Sequence, residues 1–379
     1  MRFAQMIPRN LARRPMRTLL TLGGVASAML LLFLVESLSG GLDRAFSGTQ
    51  AARTLIVYRQ NRYCPQTSNL PEYYAERIRK VPGVESVLPV KVFLNNCRAS
   101  LDLVTFQGSP VDELLRARDL DVYSGDPEKF RAERDSALVG RAFAERKNLS
   151  VGDKFRFGNI QVKVAGLFRS GEPVEEEVIL THLEYLQRSG PVSRVGTVTQ
   201  FEVKIDDADQ ARPIAEQIDA LFTSAEQPTD TRAKVLYLES ATRDLREILR
   251  FARLLGVACV AVILILVGNT VVMSVQERVR EFGVFRTFGF KEKHIAALVI
   301  GESLALTVTG AIVGIALAYV LVRTTDVSIG SEGVAVTFAS SPMMVARGIA
   351  IAAVTGVIAG LFPAVRSARA GIVESLRSA

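Results

Sequence analysis

The chain has 379 residues, of which 49% are hydrophobic, and its mean hydropathy is +0.23, so it is too apolar for an ordinary soluble enzyme. It also carries 22% charged residues, and this mixture indicates an integral membrane protein with one sizeable domain outside the lipid. The net charge of +7 would allow nucleic-acid binding, but the basic residues cluster beside apolar runs, so we expect no nucleic-acid partner. The cluster before the first run contains no acid and consists of Arg2, Arg9, Arg13, Arg14 and Arg17.

Four apolar runs are long enough to cross a hydrocarbon core of about 30 Å. The first begins at Thr18, directly after the basic cluster, which is also how a signal peptide begins. A retained span is preferred, because the run is longer than a typical signal-peptide core and no clear cleavage site closes it. The predicted organisation is an amphipathic helix at 1–17, a first span at 18–40, a large domain at 41–245, a stalk end and second span at 246–273, a segment between spans at 274–294, a third span at 295–322, a short loop at 323–342, a fourth span at 343–363 and a tail at 364–379.

The distribution of basic residues predicts the orientation of these spans. The 323–342 loop has a single basic residue, Arg323, beside two acids. The 274–294 segment, in contrast, carries Arg278, Arg280, Arg286, Lys291 and Lys293. Because positively charged flanks stay in the cytoplasm, this segment and both termini are expected there, and residues 41–245 on the outer side.

The outer segment has the pattern of a mixed α/β fold. Strands are predicted at 55–58, 84–93 and 200–206, and helices at 71–80 and 208–222. Turn residues at 152–153 and 158–159 separate short alternating strands, which predicts a β-rich insert at about 135–190. Residues 234–253 have helical periodicity without Gly or Pro, so one continuous helix is predicted to lead from this domain into the second span.

Several kinds of chemistry are missing from the chain. No phosphate-binding loop of the G-x-x-x-x-G-K-[ST] type occurs, so ATP binding in that manner is not expected. The two histidines, His182 and His294, are too few and too far apart for a metal site or a catalytic triad. Glu175, Glu176 and Glu177 could suggest a cation site, but three consecutive carboxylates cannot share one face, so a solvated loop is preferred. We therefore predict no catalytic, cofactor-binding or metal-ligating residues and no enzymatic activity in this chain.

Two acidic residues lie in the apolar runs, where charge is costly. Glu36 is near the outer end of the first span, and Glu302 is within the first two turns of the third. A proton or ion relay is one interpretation of either residue. The preferred one is structural: Glu36 reaches water at the outer interface, and Glu302 pairs with a basic residue near the inner surface.

The third and fourth spans each contain a G-x-x-x-G motif, at Gly310 and Gly314 and at Gly356 and Gly360. Small residues at this spacing let helix backbones approach closely. The two motifs therefore favour direct packing of the third span against the fourth.

The chain has three cysteines. Cys64 and Cys97 lie in the outer domain and could form a disulfide in an oxidising compartment or remain as thiols, and the sequence leaves both alternatives open. Cys259 lies inside an apolar run, where packing is the expected role.

The segment between the second and third spans is basic, amphipathic and helix-forming, as expected of a docking element for a cytoplasmic partner. Residues 277–289, ERVREFGVFRTFG, closely resemble the coupling segment of ABC-transporter permeases of the MacB/FtsX type, also called type VII. Residues 10–18 resemble the amphipathic N-terminal segment of that family. The 140–168 passage resembles the small β-rich subdomain of its periplasmic part.

The C-terminal tail is also similar to this family. The matching residues are 362–364, 368–369 and 373–377. Gly371-Ile372 stands where many members have Asp-Pro, a departure that is expected to affect only the local turn.

The resemblance implies a multi-pass protein of the bacterial inner membrane with four transmembrane helices, a large mixed α/β periplasmic domain with a β-rich subdomain, and both termini in the cytoplasm. It implies a dimer, formed with a second copy or a related permease, that docks two ABC ATPase subunits carrying ATP and Mg. A periplasmic adaptor and membrane lipid are further candidate partners. The residues implied to couple to the ATPase are Glu277, Arg278, Arg280, Glu281, Gly283, Val284, Arg286, Phe288 and Gly289.

The implied function is that of the permease subunit. It would couple ATP hydrolysis by a separate ATPase to movement of the periplasmic domains, for efflux or extraction of a lipoprotein, a peptide or a hydrophobic molecule. The alternative is a mechanotransmission subunit that regulates a periplasmic partner, such as a cell-wall hydrolase, without transport. A stand-alone membrane receptor or anchor is a third class.

Overall fold

The computed structural model describes residues 13–45, 53–62, 67–94, 100–101, 103–324, 328–331, 334–338 and 340–369. It divides into two compact units. The helical unit comprises Met1–Gly40, Ile248–Thr325 and Phe338–Ala379, and the α/β unit comprises Gly41–Glu247 and Asp326–Thr337. Cys64 and Cys97 lie outside the described residues, so their pairing stays a prediction.

The helices are α1 (Pro15–Ala45), α2 (Tyr74–Ile78), α3 (Val111–Ala117), α4 (Pro127–Ala132), α5 (Arg141–Lys147), α6 (Leu183–Arg188), α7 (Ala211–Phe222), α8 (Lys234–Ala241), α9 (Arg243–Glu277), α10 (Val279–Thr287), α11 (Glu292–Thr324) and α12 (Pro342–Arg369). The strands are β1 (Thr54–Arg59), β2 (Leu70–Pro71), β3 (Val84–Leu94), β4 (Ser100–Leu101), β5 (Thr105–Ser109), β6 (Leu120–Gly125), β7 (Ser136–Gly140), β8 (Lys154–Phe157), β9 (Ile160–Ser170), β10 (Val178–His182), β11 (Thr197–Val198), β12 (Gln200–Ile205), β13 (Thr229–Ala233), β14 (Ser328–Ser331) and β15 (Val334–Thr337).

Within the described residues, four helices are long and apolar enough to cross a membrane: α1, α9, α11 and α12. The four predicted transmembrane helices are therefore confirmed. Their shared core is a cluster of aliphatic side chains that includes Val25, Val267, Leu298 and Ala311. The chain is thus a membrane protein whose spans pack into one helical unit.

Helix α11 lies in close backbone contact with two neighbouring helices, α1 and α12. A Cβ at Gly310 would lie 2.7 Å from the Val25 side chain, and one at Gly314 would clash with the backbone of Ala26, so both glycines pack against α1. Gly356 and Gly360 of α12 instead contact α11, where a Cβ at Gly356 would lie 3.1 Å from the Cα of Leu304.

The direct packing of the third span against the fourth, predicted from the two glycine motifs, is therefore confirmed. The third and fourth spans do pack directly, and Ser303 Oγ donates a hydrogen bond of 2.8 Å to the Gly356 carbonyl. The glycines of the third span serve a different neighbour, however, because one helix can present small residues on two faces.

The α/β unit contains a ten-stranded mixed sheet in the order β13-β1-β12-β3-β5-β10-β7-β9-β6, with β8 pairing to β9. The pairs β10–β5 and β7–β9 are parallel. Apolar residues alternate along the strands, and the cluster around Leu55, Phe201 and Val203 packs against Ile214 and Ile218 of α7. The mixed α/β domain with β-rich content is confirmed, and the strands of the 135–190 insert continue the main sheet through the β5–β10 pair.

The loop between α11 and α12 also contributes to the α/β unit. Its strands β14 and β15 form an antiparallel pair with partners Ser328 and Thr337 at one end. Strand β14 pairs in addition with β4, at Ile329 and Leu101. A segment predicted to be a plain loop therefore forms a three-stranded sheet.

The predicted continuous helix over 234–253 is wrong, because the structure divides it at Thr242 into α8 and α9. The Thr242 backbone has φ −106° and ψ 7°, outside the helical region. Its hydroxyl donates a hydrogen bond of 2.8 Å to the Leu238 carbonyl. A β-branched residue that bonds back to the preceding turn commonly bends or ends a helix. The predicted helix over 71–80 is likewise shorter, because Pro71 belongs to β2 and pairs with Thr197.

Candidate functional site

The segment between the second and third spans forms a separate short helix, α10. Helix α9 ends at Glu277, and Arg278 interrupts the helical geometry with φ −117° and ψ 10°. At the other end, Gly289 has φ +88°, a left-handed conformation that costs other residues energy. The Gly289 N–H donates to the Arg286 carbonyl at 3.0 Å, and the Phe290 N–H donates to the Phe285 carbonyl at 3.1 Å.

These two hydrogen bonds form a Schellman motif, a common helix C-terminus. The Phe285 and Phe290 rings supply its hydrophobic contact, with their centroids 5.7 Å apart. Gly289 therefore ends α10 in a conformation that glycine adopts without strain.

The inner face of α10 is fixed to the helical unit. Phe282 is buried in the same aliphatic cluster as Val275 and Leu298. The Arg278 guanidinium pairs with the Glu302 carboxylate of α11 at 2.6 Å, and these side chains are only 8% and 5% exposed. Arg278 also lies over the Phe282 ring at 5.2 Å. The prediction that Glu302 pairs with a basic residue is confirmed, and this ion pair holds α10 against α11.

Three arginines near the start of α1 pair with the acids of this segment. Arg13 contacts Glu281 at 2.7 Å, while Arg14 and Arg17 contact Glu277 at 3.2 and 3.0 Å. Burial of Glu281 opposes its ionisation, but hydrogen bonds from Arg13 and Arg278 outweigh burial and hold its pKa below its usual value. We call these three pairs the arginine clasp. Both acids are thus engaged within the chain.

The outer face of α10 is exposed and combines one cation with two apolar side chains. Arg280 and Val284 of α10 and Phe288, the residue that caps its C-terminal end, follow the spacing i, i+4, i+8, which places them on one side of the segment. Phe288 is 78% exposed, an unusual position for a large aromatic side chain. In the part of the chain that the structure describes, Arg280 forms no ion pair. Lys291 and Lys293 add exposed positive charge just beyond the helix.

The nine predicted coupling residues therefore separate into two groups. Arg280, Val284 and Phe288 face outward and form what we call the docking face. The others are engaged within the chain or buried: Arg286 pairs with Glu292 at 2.7 Å, and Gly283 is buried. The sequence alone could not make this division, because Arg278 resets the helical phase between α9 and α10.

The prediction of a solvated loop at 175–177 is wrong. These three glutamates form a short 3-10 helix, and all are buried. The premise that they cannot share a face holds, since each pairs with a different cation. Glu176 contacts Arg141 at 2.8 Å, and Glu177 contacts Arg146 at 3.0 Å.

Glu175 belongs to a buried charge cluster in the α/β unit. Arg118 contacts Glu202 at 2.7 Å and Glu175 at 3.5 Å, and Lys234 pairs with Glu175 and with Glu172. Burial opposes the ionisation of Glu175, but the charges of Arg118 and Lys234 outweigh it and keep its pKa low. No sequence pattern indicates this cluster, because its members are separated by up to about a hundred residues.

Glu36 pairs with Arg253 at 3.5 Å and remains partly exposed. This geometry agrees with the structural interpretation, in which Glu36 reaches an interface, rather than with a relay. Among the residues that the structure describes, no group of His, Cys, Asp and Glu could hold a metal ion.

The four long apolar helices and the large α/β unit define a polytopic membrane permease. Residues 18–221 match the family model of the MacB-like periplasmic core domain, and residues 253–372 match the FtsX-like permease C-terminal model. The first match alone covers more than half of the chain. The chain therefore belongs to the MacB/FtsX-type family of ABC transporter permeases.

Relatives of this chain differ in length. An uncharacterized ABC transporter permease of Methanocaldococcus jannaschii is 20% identical over 97% of this chain and 96% of its own. The macrolide export ATP-binding/permease protein MacB of Shewanella sp. is 22% identical over 80% of this chain, which spans only 48% of that protein. The crystal structure of the periplasmic region of MacB from Actinobacillus actinomycetemcomitans is 13% identical and aligns with 51% of this chain and 92% of its own, at a TM-score of 0.36.

Proposed function

We propose that this chain is the membrane subunit of an ABC exporter and that it binds a separate ATP-hydrolysing subunit through the docking face of α10. The observation that carries this proposal is the exposure of Arg280, Val284 and Phe288 on a helix whose opposite face is held by Phe282 and Arg278. Amphipathic helices that dock into grooves commonly use anchors at this spacing. ATP and Mg would belong to the partner.

The chemistry of the docking face defines the groove that it fits. Phe288 and Val284 require an apolar pocket, and Arg280, Lys291 and Lys293 favour an acidic rim. Aromatic and arginine side chains also dominate the binding energy of many interfaces. The partner surface is therefore an apolar groove with carboxylates at its edge.

The arrangement in the membrane follows from the same basic residues. We place α10, the arginine clasp and both termini on the cytoplasmic side of a bacterial inner membrane. The reason is that positively charged segments beside membrane spans stay on that side. The α/β unit is then periplasmic. Two copies, or one copy with a related permease, would present two docking faces to two ATPase subunits.

Export is favoured over regulation of a cell-wall hydrolase by one finding, the similarity to a macrolide exporter over most of the chain. The cargo class we propose is a hydrophobic molecule, a peptide or a lipoprotein. Movement of the periplasmic unit, driven by the partner's ATP cycle, would perform the work.

The test of docking is co-purification from native membranes with quantitative mass spectrometry of bound ATPase. We expect Phe288→Ala to weaken the complex by about tenfold or more, because a buried aromatic anchor is worth about 2 kcal/mol. Arg280→Ala should weaken it less. Phe362→Ala is the matched control, since Phe362 is also a largely exposed aromatic, at 68%, but lies on α12.

Undiminished co-purification of the Phe288→Ala chain would overturn the docking face. Glu281 and Arg286 are also among the residues that the resemblance implies to couple to the ATPase, so Glu281→Ala and Arg286→Ala should also weaken the complex. Because the structure pairs these side chains with Arg13 and Glu292, we expect them to act by loosening α10 and to have smaller effects.

The orientation is tested separately by cysteine labelling in a chain whose own cysteines are replaced. Thr287→Cys should react with an impermeant reagent only after permeabilisation, and Val192→Cys should react in intact cells. Both positions are exposed, so accessibility is not limiting. The reverse pattern would overturn the topology without affecting the docking test.

A further inference from the structure

A cavity of about 450 Å³ lies inside the helical unit, between its four long helices. Its wall is mainly apolar and includes Met29, Phe33, Val260 and Ile315. This volume falls within the range of small-molecule sites and is too small for a folded partner.

The cavity lies at the end of the unit opposite the arginine clasp. Glu36, which lines it, is 19 residues after Arg17 of the arginine clasp on the continuous helix α1, a distance of about 29 Å along the helix axis. That distance corresponds to the hydrocarbon core of a bilayer. The cavity is therefore at the level of the opposite lipid headgroups.

The charges in its wall are unequal. Within the described residues, the ionisable side chains that line it are Glu36, Arg253 and Arg347. Glu36 and Arg253 pair at 3.5 Å and neutralise each other. Arg347 forms no ion pair with any residue that the structure describes, so the cavity carries one uncompensated positive charge.

An unpaired guanidinium beside an apolar cavity in a membrane bundle favours an anion that brings its own apolar group. Guanidinium binds phosphate in a bidentate manner, with two parallel hydrogen bonds. The surrounding bilayer supplies phosphate and acyl chain in a single molecule. We propose that this cavity is a binding site for an anionic phospholipid, with its phosphate on Arg347 and an acyl chain between the helices. This inference does not depend on ATPase docking.

Gly256, which lines the cavity, leaves space there for the acyl chain. A Cβ at Gly256 would meet Leu32 at 3.5 Å, an ordinary contact, so a longer side chain there would extend into the cavity without displacing backbone. Gly23 of α1 provides the matched control, because nothing lies within 4 Å of a Cβ at that position. Gly256→Leu should therefore fill the site, whereas Gly23→Leu should leave it open.

The absence of tryptophan from the sequence allows a direct measurement. Phe33→Trp places a single indole in the cavity wall, and Leu31→Trp places one at nearly the same depth on the exposed side, where Leu31 is 54% exposed and Phe33 only 3%. Each chain is reconstituted in nanodiscs with phosphatidylglycerol or phosphatidylcholine that carries brominated acyl chains, which quench indole fluorescence on contact.

For Phe33→Trp we expect half-maximal quenching at about a tenfold lower mole fraction of phosphatidylglycerol than of phosphatidylcholine, a difference of about 1.4 kcal/mol. Both lipids carry a phosphate, but the choline cation balances it in phosphatidylcholine and leaves the charge of Arg347 uncompensated. Adding Arg347→Gln should make the two curves coincide, and adding Gly256→Leu should weaken quenching by both lipids. Adding Glu36→Gln should increase the preference, because Arg253 is then released. Leu31→Trp should show no preference.

Equal quenching of Phe33→Trp by the two lipids would overturn the site, as would a preference that survives Arg347→Gln. A similar preference in Leu31→Trp would also overturn it, since it would mean general enrichment of anionic lipid around a basic protein. Native mass spectrometry of the delipidated wild-type chain gives an independent readout. One phosphatidylglycerol should be retained per chain and lost in Arg347→Gln, whereas a retained fatty acid in its place would overturn the assignment to a phospholipid.

Discussion

The α/β unit and the helical unit both bury an arginine, but they differ in what surrounds it. Arg118 of the α/β unit lies in a cluster of two cations and three carboxylates, all largely removed from water. Arg278 of the helical unit has one buried partner, Glu302, and one partly exposed partner, Glu281. The first network is closed. The second continues to the surface through Glu281 and the arginine clasp.

This difference separates two uses of buried charge. A closed cluster loses its compensation whenever one member is removed, so it resists change and specifies one packing. An open network contains exposed pairs that contribute little to stability and can exchange partners at low cost. The open network lies where we propose that a partner docks.

The largest expected effect comes from breaking the closed cluster. Arg118→Ala leaves Glu202 and Glu175 buried without their main cation, so we expect a loss of about 5 kcal/mol in the free energy of unfolding, the upper end for a broken buried pair. The measurement is thermal unfolding of the full chain by circular dichroism. Arg212→Ala, which removes an exposed pair with Glu216, should cost no more than about 0.5 kcal/mol. Similar losses in both variants would contradict the distinction.

Breaking the buried pair of the open network should have a smaller effect. Arg278→Ala leaves Glu302 buried, and we expect a loss of about 3 kcal/mol in the free energy of unfolding. The double variant Arg278→Leu with Glu302→Leu should recover most of it, because neither charge remains. A double variant as unstable as the single one would show that packing rather than charge holds α10.

Lys91 of the α/β unit offers a third case, a buried cation that forms no ion pair with any residue that the structure describes. Its ammonium donates to Thr197 at 3.0 Å and Asn69 at 3.2 Å, and burial, reinforced by the charge of Arg194, lowers its pKa to about 8. The unfolded chain keeps this proton up to about pH 10.4. Between about pH 8 and that value, the unfolded chain therefore binds more protons than the native chain.

Stability should therefore rise with pH above about 8, by at most about 1.4 kcal/mol per pH unit, until tyrosines begin to ionise near pH 10. Denaturant unfolding across this range measures the slope. Lys91→Met should remove the rise. If the slope of the unfolding free energy against pH is unchanged in that variant, the pH dependence arises from another titrating group.

The smallest effect is expected for the exposed pairs of the clasp. Arg14→Ala should change the free energy of unfolding by about 0.2–1 kcal/mol, and less at high salt, because exposed ion pairs are weak and screened. Unfolding at low and high salt makes the comparison. An effect as large as that of Arg278→Ala would mean that the clasp is structural.

Sequence patterns predicted the elements whose signal is local. Four apolar runs gave four long helices, and the basic residues before Glu302 correctly indicated an ion pair in that region. The burial of Glu175–Glu177 was missed, because their partners Arg141 and Arg146 are brought close only by the fold of the sheet. A run of three acids looks the same in sequence whether it faces water or three separate cations.

Residues 277–289 illustrate the same limit at finer scale. The motif indicated candidate coupling residues, but the break at Arg278 and the stop at Gly289 decide which of them face outward. The stop at Gly289 is a local signal, because glycine favours its left-handed conformation. The break at Arg278, in contrast, is accompanied by an ion pair with Glu302 of α11, which periodicity does not record. The division between the docking face and the held face is therefore a property of the structure.

The glycine contacts of α11 have a mechanical consequence. On one side Gly310 and Gly314 bring its backbone against α1, and on the other Gly356 and Gly360 bring α12 against it. Because no side chains separate the backbones at these contacts, the helices have little room to slide past one another. Because Arg278 ties α10 to Glu302 of α11, these contacts join α10 to the closely packed backbones of α1, α11 and α12.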